Sequence, residues 1–203
     1  MNVKQRMKDH IKRNRWQYVL ITLIFVLGII MGDYKVTDLE GGVKSQLLTL
    51  IDSYLTGEIS QGIDGKTILF SSFLNQAKGI IAIWFLGLTV IGMPIILGLV
   101  FLKGYSLGFT VGFLVQEKAG IGIVVTILSI LPQNLVYLPI LIICAVVGVN
   151  FSVYIARGKQ DRSVPLGGVL VTYTLLILIC LCIVFMGAFI EAYLSPWFLS
   201  LFI

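Results

Sequence analysis

Few residues in this 203-residue chain can do acid–base, nucleophilic or metal chemistry: one histidine, three cysteines and ten carboxylates. His10 lies in a basic N-terminal stretch, far along the chain from Cys144, Cys180 and Cys182, which all fall inside apolar runs. No His/Cys/Asp/Glu grouping has metal-ligand spacing, and no Ser/His/Asp or Cys/His set can be assembled. The cysteines read as small core hydrophobes, because three of them at these spacings suggest no disulfide framework. Glu117 and Glu191 are the candidate intramembrane carboxylates, which is less than a proton relay or an intramembrane hydrolase normally needs. No phosphate-cradling glycine loop is present either. The sequence predicts a protein that is not an enzyme, with no metal and no cofactor.

Two other patterns could act through packing or recognition. Gly104, Gly108 and Gly112 fall four apart on one helix face and let another backbone approach closely, either inside this chain or across a homodimer seam. LPQNLVYLP, residues 131 to 139, sets Gln133 and Asn134 between Pro132 and Pro139 in apolar surroundings. Buried amides need partners, so they predict either a polar clamp on backbone freed by the prolines or a solute site at a broken helix, as in transporters.

The elements that must position these residues follow from composition. With 58% hydrophobic and 12% charged residues and a mean hydropathy of +0.99, the chain has about half the charge density of soluble domains. Most of its surface must face lipid, which predicts a polytopic, all-α membrane protein. Residues 1–15 hold six basic side chains against Asp9 alone, accounting for the whole net charge of +5. Placed directly before an apolar run, they form a positive-inside signal rather than a nucleic-acid arm.

Five spans are expected. Residues 16–32 form an uncleaved signal anchor. Gly79 to Leu102 is the second span, with Trp84 toward its outer end, Pro94 as a kink and Lys103 closing it at the inner face. Pro132 to Ala156 and Val169 to Ile190 are two more, separated by a basic loop holding Arg157, Lys159 and Arg162. Since tail and loop both lie inside, Gly104 to Leu131 must make one net crossing. Glu117 and Lys118 interrupt it at a cost of about 3 kcal/mol each if placed at the bilayer centre, which predicts a broken or re-entrant element with one crossing arm and one dipping arm. Residues 33–78 are then extracytoplasmic, and residues 79–203 form the bundle, whose tail beyond Glu191 reaches the interfacial anchor Trp197.

Within the outer segment, Val43, Leu47, Leu50, Ile51 and Tyr54 share one face of an amphipathic helix. Turn residues mark a loop from Thr56 to Gly65. Such a helix either lies on the membrane or docks a partner.

These pieces in this order resemble the stage II sporulation protein M family. The likeness is carried by NQAKG at 75–79, TVIGMPIILGLVFLKGYSLGFTVGFLV at 89–115, ILPQNLVYLP at 130–139 and FIEAYLSP at 189–196. The wider family carries an Asn-Gly pair where this chain has Lys103 and Gly104, and Pro-His-Gly followed by a glutamate where it has Pro132, Gln133, Asn134 and Tyr137. The chain therefore resembles the sporulation branch. The resemblance implies a multi-pass protein of the sporulation septum and engulfing membrane. It further implies a non-catalytic scaffold that recruits sporulation proteins D and P, which are peptidoglycan hydrolases. On the amphipathic pattern, residues 43–55, with Leu47, Ile51 and Tyr54 as anchors, are expected to form part of the docking surface.

Overall fold

The computed structural model describes residues 14–55, 65–157 and 166–194. The described residues are helical almost throughout: α1 (Arg15–Thr37), α2 (Gly41–Leu55), α3 (Gly65–Gly87), α4 (Gly92–Val125), α5 (Leu131–Ala156) and α6 (Leu166–Phe189). Two π-helical turns, Thr126–Ile130 and Ile190–Leu194, lead into α5 and follow α6. Five segments are long and apolar enough to cross a bilayer: Arg15–Thr37, Gly65–Gly87, Gly92–Lys118, Leu131–Ala156 and Gly167–Tyr193. The basic tail up to residue 13, most of the basic loop, the Thr56 to Asp64 part of the expected loop, and Trp197 lie outside the described residues.

The positive-inside rule sets the first span running outward, so α4 also runs outward and α5 returns toward Arg157. Four crossings then separate the two basic segments, which satisfies the parity required by their charge. The outer surface is apolar: Trp16, Leu135 and Met186 are 75%, 71% and 66% exposed. Lipid tails cover such side chains as well as a protein core would, so the helices are held together by packing and by buried polar contacts rather than by hydrophobic burial. The core joins Ile21 and Phe25 of α1, Ile80 and Ile83 of α3, Ile96 and Val100 of α4, and Tyr173, Ile177 and Val184 of α6 around α5, the most buried span.

The boundary between the second and third spans differs from the sequence expectation. α3 stops at Gly87, and a tight turn over residues 88–91 starts α4 at Gly92. Leu88 and Thr89 donate backbone N–H bonds to Phe85 O and Leu86 O, and the Thr89 hydroxyl caps Leu86 O at 2.7 Å. A side chain at Gly92 would collide with Leu86 O, so the turn needs glycine there. Pro94 falls in the first turn of α4, where the missing N–H costs nothing, and is therefore a helix starter rather than a kink. Ser152 of α5 secures the turn. Its hydroxyl donates to Thr89 O at 2.7 Å and accepts from Met93 N at 3.2 Å. Tyr173 of α6 gives its hydroxyl to the carbonyls of Ile83 and Trp84 at 3.2 and 3.1 Å, and Trp84 Nε1 donates to Thr174 Oγ1 at 3.2 Å. Trp84 consequently sits at the turn end of α3, toward the inner face, and not at its outer end.

α4 also runs unbroken through Gln116, Glu117 and Lys118. Starting eleven residues before Lys103 rather than one residue after it, the helix has crossed most of the membrane by the time it reaches these charges. They fall at its outer end, where no break is needed. The chain then enters the π turn and α5 directly, so the segment from Ala119 to Leu131 extends the outer end of the bundle.

Candidate functional site

α4 carries two structurally distinct faces. On one, Gly104, Gly108 and Gly112 meet Gly28 and Gly32 of α1. The two helices run parallel with their backbones in contact: a Cβ at Gly28 would strike Phe101 O, one at Gly32 Tyr105 O, one at Gly104 Phe25 O, and one at Gly108 Ile29 O. At Gly112 the obstacle is the Asp33 carboxylate, which also accepts from Gln116 Nε2 at 3.4 Å. The glycine stripe is thus occupied by the chain's own first span.

The other face holds Lys103. It lies about 16 Å along α4 from Gly92 and about 21 Å short of Glu117, which places its ammonium inside the apolar layer. Its Nζ donates to Gln76 Oε1 on α3 at 3.0 Å. Both residues are eleven positions from the connecting turn, so an antiparallel helix pair brings them to one level. They line a cleft of about 290 Å³ together with Asn75, Gly79, Ser106, Tyr137 and apolar side chains of α3 to α6. Asn75, Gly79, Leu102 and Ser106 are exposed, so the cleft opens sideways, where lipid lies. At its outer side the buried Tyr137 donates its hydroxyl to Glu191 Oε2 at 3.1 Å. Glu191 stands in the π turn after α6, whose extra residue per turn carries the carboxylate inward over Tyr137. Among the described residues, Lys103 has no carboxylate within ion-pair distance. A lysine at this depth costs about 3 kcal/mol to insert and marks a functional position by default. The set can hold charge and hydrogen-bond an acceptor, but it pairs no nucleophile with a base.

Lys103 had been expected to close a span at the inner face, and its depth follows from the moved boundary. Thr89, Gly92 and Pro94 together carried the signal, as a turn residue, a glycine and a first-turn proline within six positions.

The outer amphipathic helix divides its apolar face. Leu47 and Ile51 face Phe109, Thr110, Phe113 and Leu114 of α4 across a cleft of about 200 Å³, whereas Val43 and Leu50 are 44% and 60% exposed. The side chain of Tyr54 lies outside the described residues. Lys44 links α2 to α4 through a 2.8 Å ion pair with Glu117, whose side chain is 16% exposed. Lys118 lies beside Glu117 at the same outer end.

The proline-flanked amides are separated. Asn134 Nδ2 donates to Ile130 O at 2.7 Å, satisfying a carbonyl at the junction of the π turn with α5, where Pro132 occupies the first turn. Gln133 Oε1 is buried without a hydrogen-bond partner among the described residues. Cys144 and Cys180 are buried and Cys182 faces outward.

No curated protein and no solved structure matches this chain. A family model described as stage II sporulation protein M matches residues 21–196, from the first span through the turn that carries Glu191. The match covers the glycine seam, the lysine cleft and the outer helix together, and the chain belongs to the stage II sporulation protein M family, a family of sporulation-related membrane proteins.

Proposed function

We propose that this chain is a non-catalytic membrane anchor and scaffold that recruits peptidoglycan-degrading enzymes, sporulation proteins D and P, to the septal membrane for engulfment. The family match across residues 21–196 is the observation that carries this reading. The outer helix supports it physically. An isolated 15-residue amphipathic helix is marginal in water, but the Lys44–Glu117 ion pair ties α2 to a membrane span and leaves Val43 and Leu50 uncovered on the wall side. Tethering a hydrolase there raises its local concentration without any chemistry by the scaffold.

The docking face therefore centres on Val43 and Leu50, with Leu47 and Ile51 serving to seat the helix. Affinity isolation of the tagged protein from gently solubilised sporulating membranes tests this. Both hydrolases are expected with the unaltered chain and neither with Val43→Glu/Leu50→Glu. Recovery with both forms would move the contact elsewhere, and isolation of the scaffold alone, beside an intact control complex, would end the proposal.

A small-solute transporter or channel subunit is the alternative. It drew on a broken helix between Gly104 and Leu131 and on the Gln133 and Asn134 amides. α4 is continuous to Val125 and Asn134 Nδ2 donates to Ile130 O, which leaves the buried, unpaired Gln133 Oε1 as the feature that still favours this reading. Solute flux in reconstituted vesicles that disappears on Gln133→Ala would restore it.

A further inference from the structure

The cleft between α3 and α4 gathers two segments far apart in sequence. NQAKG contributes Asn75, Gln76 and Gly79, and LKGYS contributes Lys103 and Ser106. Lys78, one position before Gly79, is exposed and does not line the cleft. The ammonium of Lys103 has three donors, of which the Gln76 amide oxygen accepts one. Glu191 is within electrostatic reach but beyond ion-pair distance, its carboxylate accepting the Tyr137 hydroxyl. Lipid tails at the open side of the cleft supply neither a counter-charge nor an acceptor.

The depth and direction of the opening select what can complete this site. Lipid headgroups stay in the interfacial zone, and Lys103 lies about 16 Å from the inner turn and about 21 Å from Glu117. A dissolved anion would have to cross hydrocarbon to enter from the side. A carboxylate carried on a transmembrane helix reaches this level without either penalty, because it arrives by lateral diffusion with its backbone already satisfied. The surface suits a helix: nothing lies within 4 Å of where a Cβ at Gly79 would stand, and the adjoining rim residue Ser106 is small. A second copy of this chain does not supply the acid, because the carboxylates at its described spans, Asp33, Glu117 and Glu191, all lie toward their outer ends.

We infer that the α3–α4 cleft receives the transmembrane helix of a partner protein, whose Asp or Glu at the same depth pairs with Lys103. This goes beyond the docking of hydrolases on the outer helix and stands independently of which protein supplies the span.

The test uses the full chain in phosphatidylcholine vesicles, with a photoreactive residue at rim position 102. The probes are synthetic Leu/Ala transmembrane helices carrying a single central Glu, Gln or Lys. The Glu helix should be captured at a peptide-to-lipid ratio about tenfold lower than the Gln helix. Lys103→Met should abolish that preference, Lys103→Arg should keep it, and Lys103→Glu should transfer it to the Lys helix. Equal capture of Glu and Gln helices by the unaltered chain overturns the inference, and so does undiminished Glu preference in Lys103→Met. Displacement of the Glu helix by dissolved acetate would assign the cleft to a small anion instead and also overturn it. The helix comparison needs no substitution at Lys103, so a variant that fails to fold still leaves the question decided.

Discussion

Lys103 and Gly104 are neighbours in sequence, yet they belong to opposite kinds of interface. Gly104 opens a seam where α1 and α4 touch backbone to backbone, with no room for a single added carbon. Lys103 opens a cleft of about 290 Å³ between α3 and α4, where Asn75, Gln76, Lys103 and Ser106 stand among mostly apolar side chains. In lipid the first arrangement is stable because close approach maximises packing, while the second is costly because a charge is held away from water. One span therefore packs the bundle with one face and keeps an open, lysine-bearing surface on the other. Stability and function should separate cleanly when the two faces are altered one at a time.

The largest effect is expected in the seam. Gly108→Leu forces a side chain into Ile29 O and should cost about 3 kcal/mol or more, seen as loss of folded protein or a large fall in the thermal midpoint in detergent. Retention of the midpoint would show that the helices are farther apart than described. Tyr137→Phe, at the outer side of the cleft, leaves Glu191 without its hydroxyl donor and should cost about 1 to 2 kcal/mol in the same assay. Lys44→Met breaks an ion pair with one largely exposed partner and should cost only about 0.5 kcal/mol. Its clearer signature is mobility: a spin label on α2 should sharpen markedly if Glu117 is what holds the helix down. Lys103→Met should destabilise least of the four: it removes a charge from an apolar layer, so the midpoint should hold or rise. A strongly destabilised Lys103→Met would mean that the lysine is structural and would erase the contrast between the faces.

Much of the architecture was legible in the sequence. Composition and the placement of basic residues required a helical membrane protein, and the two basic segments required an even number of crossings between them. The glycine stripe at 104, 108 and 112 announced a close helix contact, but spacing on one helix cannot name its partner. Gly28 and Gly32 of α1 complete the seam with the same four-residue repeat. That Leu47 and Ile51 turn toward α4 while Val43 and Leu50 stay exposed was hidden because amphipathicity reports only that a face is apolar, not which of its residues turn toward another element.

The boundary of the second and third spans was misread for a specific reason. Proline inside an apolar run fits both a kinked helix and the start of a new one, and hydropathy alone does not distinguish them. The four turn residues are themselves largely apolar, because Ser152 and the Thr89 hydroxyl satisfy polar groups that loops usually give to water. Moving that one boundary carries Glu117 to the outer end and Lys103 into the apolar layer. The π turn at Thr126–Ile130 then explains why α4 joins α5 without the re-entrant arm that the charges at 116–118 suggested.

The depth of α4 decides the account most directly. Nitroxide labels placed singly at Leu102, Ser106 and Gly108 of the protein in vesicles can be read for collision with dissolved oxygen and with a water-soluble nickel chelate. Labels at Leu102 and Ser106 should collide freely with oxygen and hardly at all with the chelate, while a label at Gly108 should either be shielded from both or unfold the chain. Free collision of the Leu102 label with the chelate would put Lys103 at the inner face in water, and the cleft would then not be an intramembrane site.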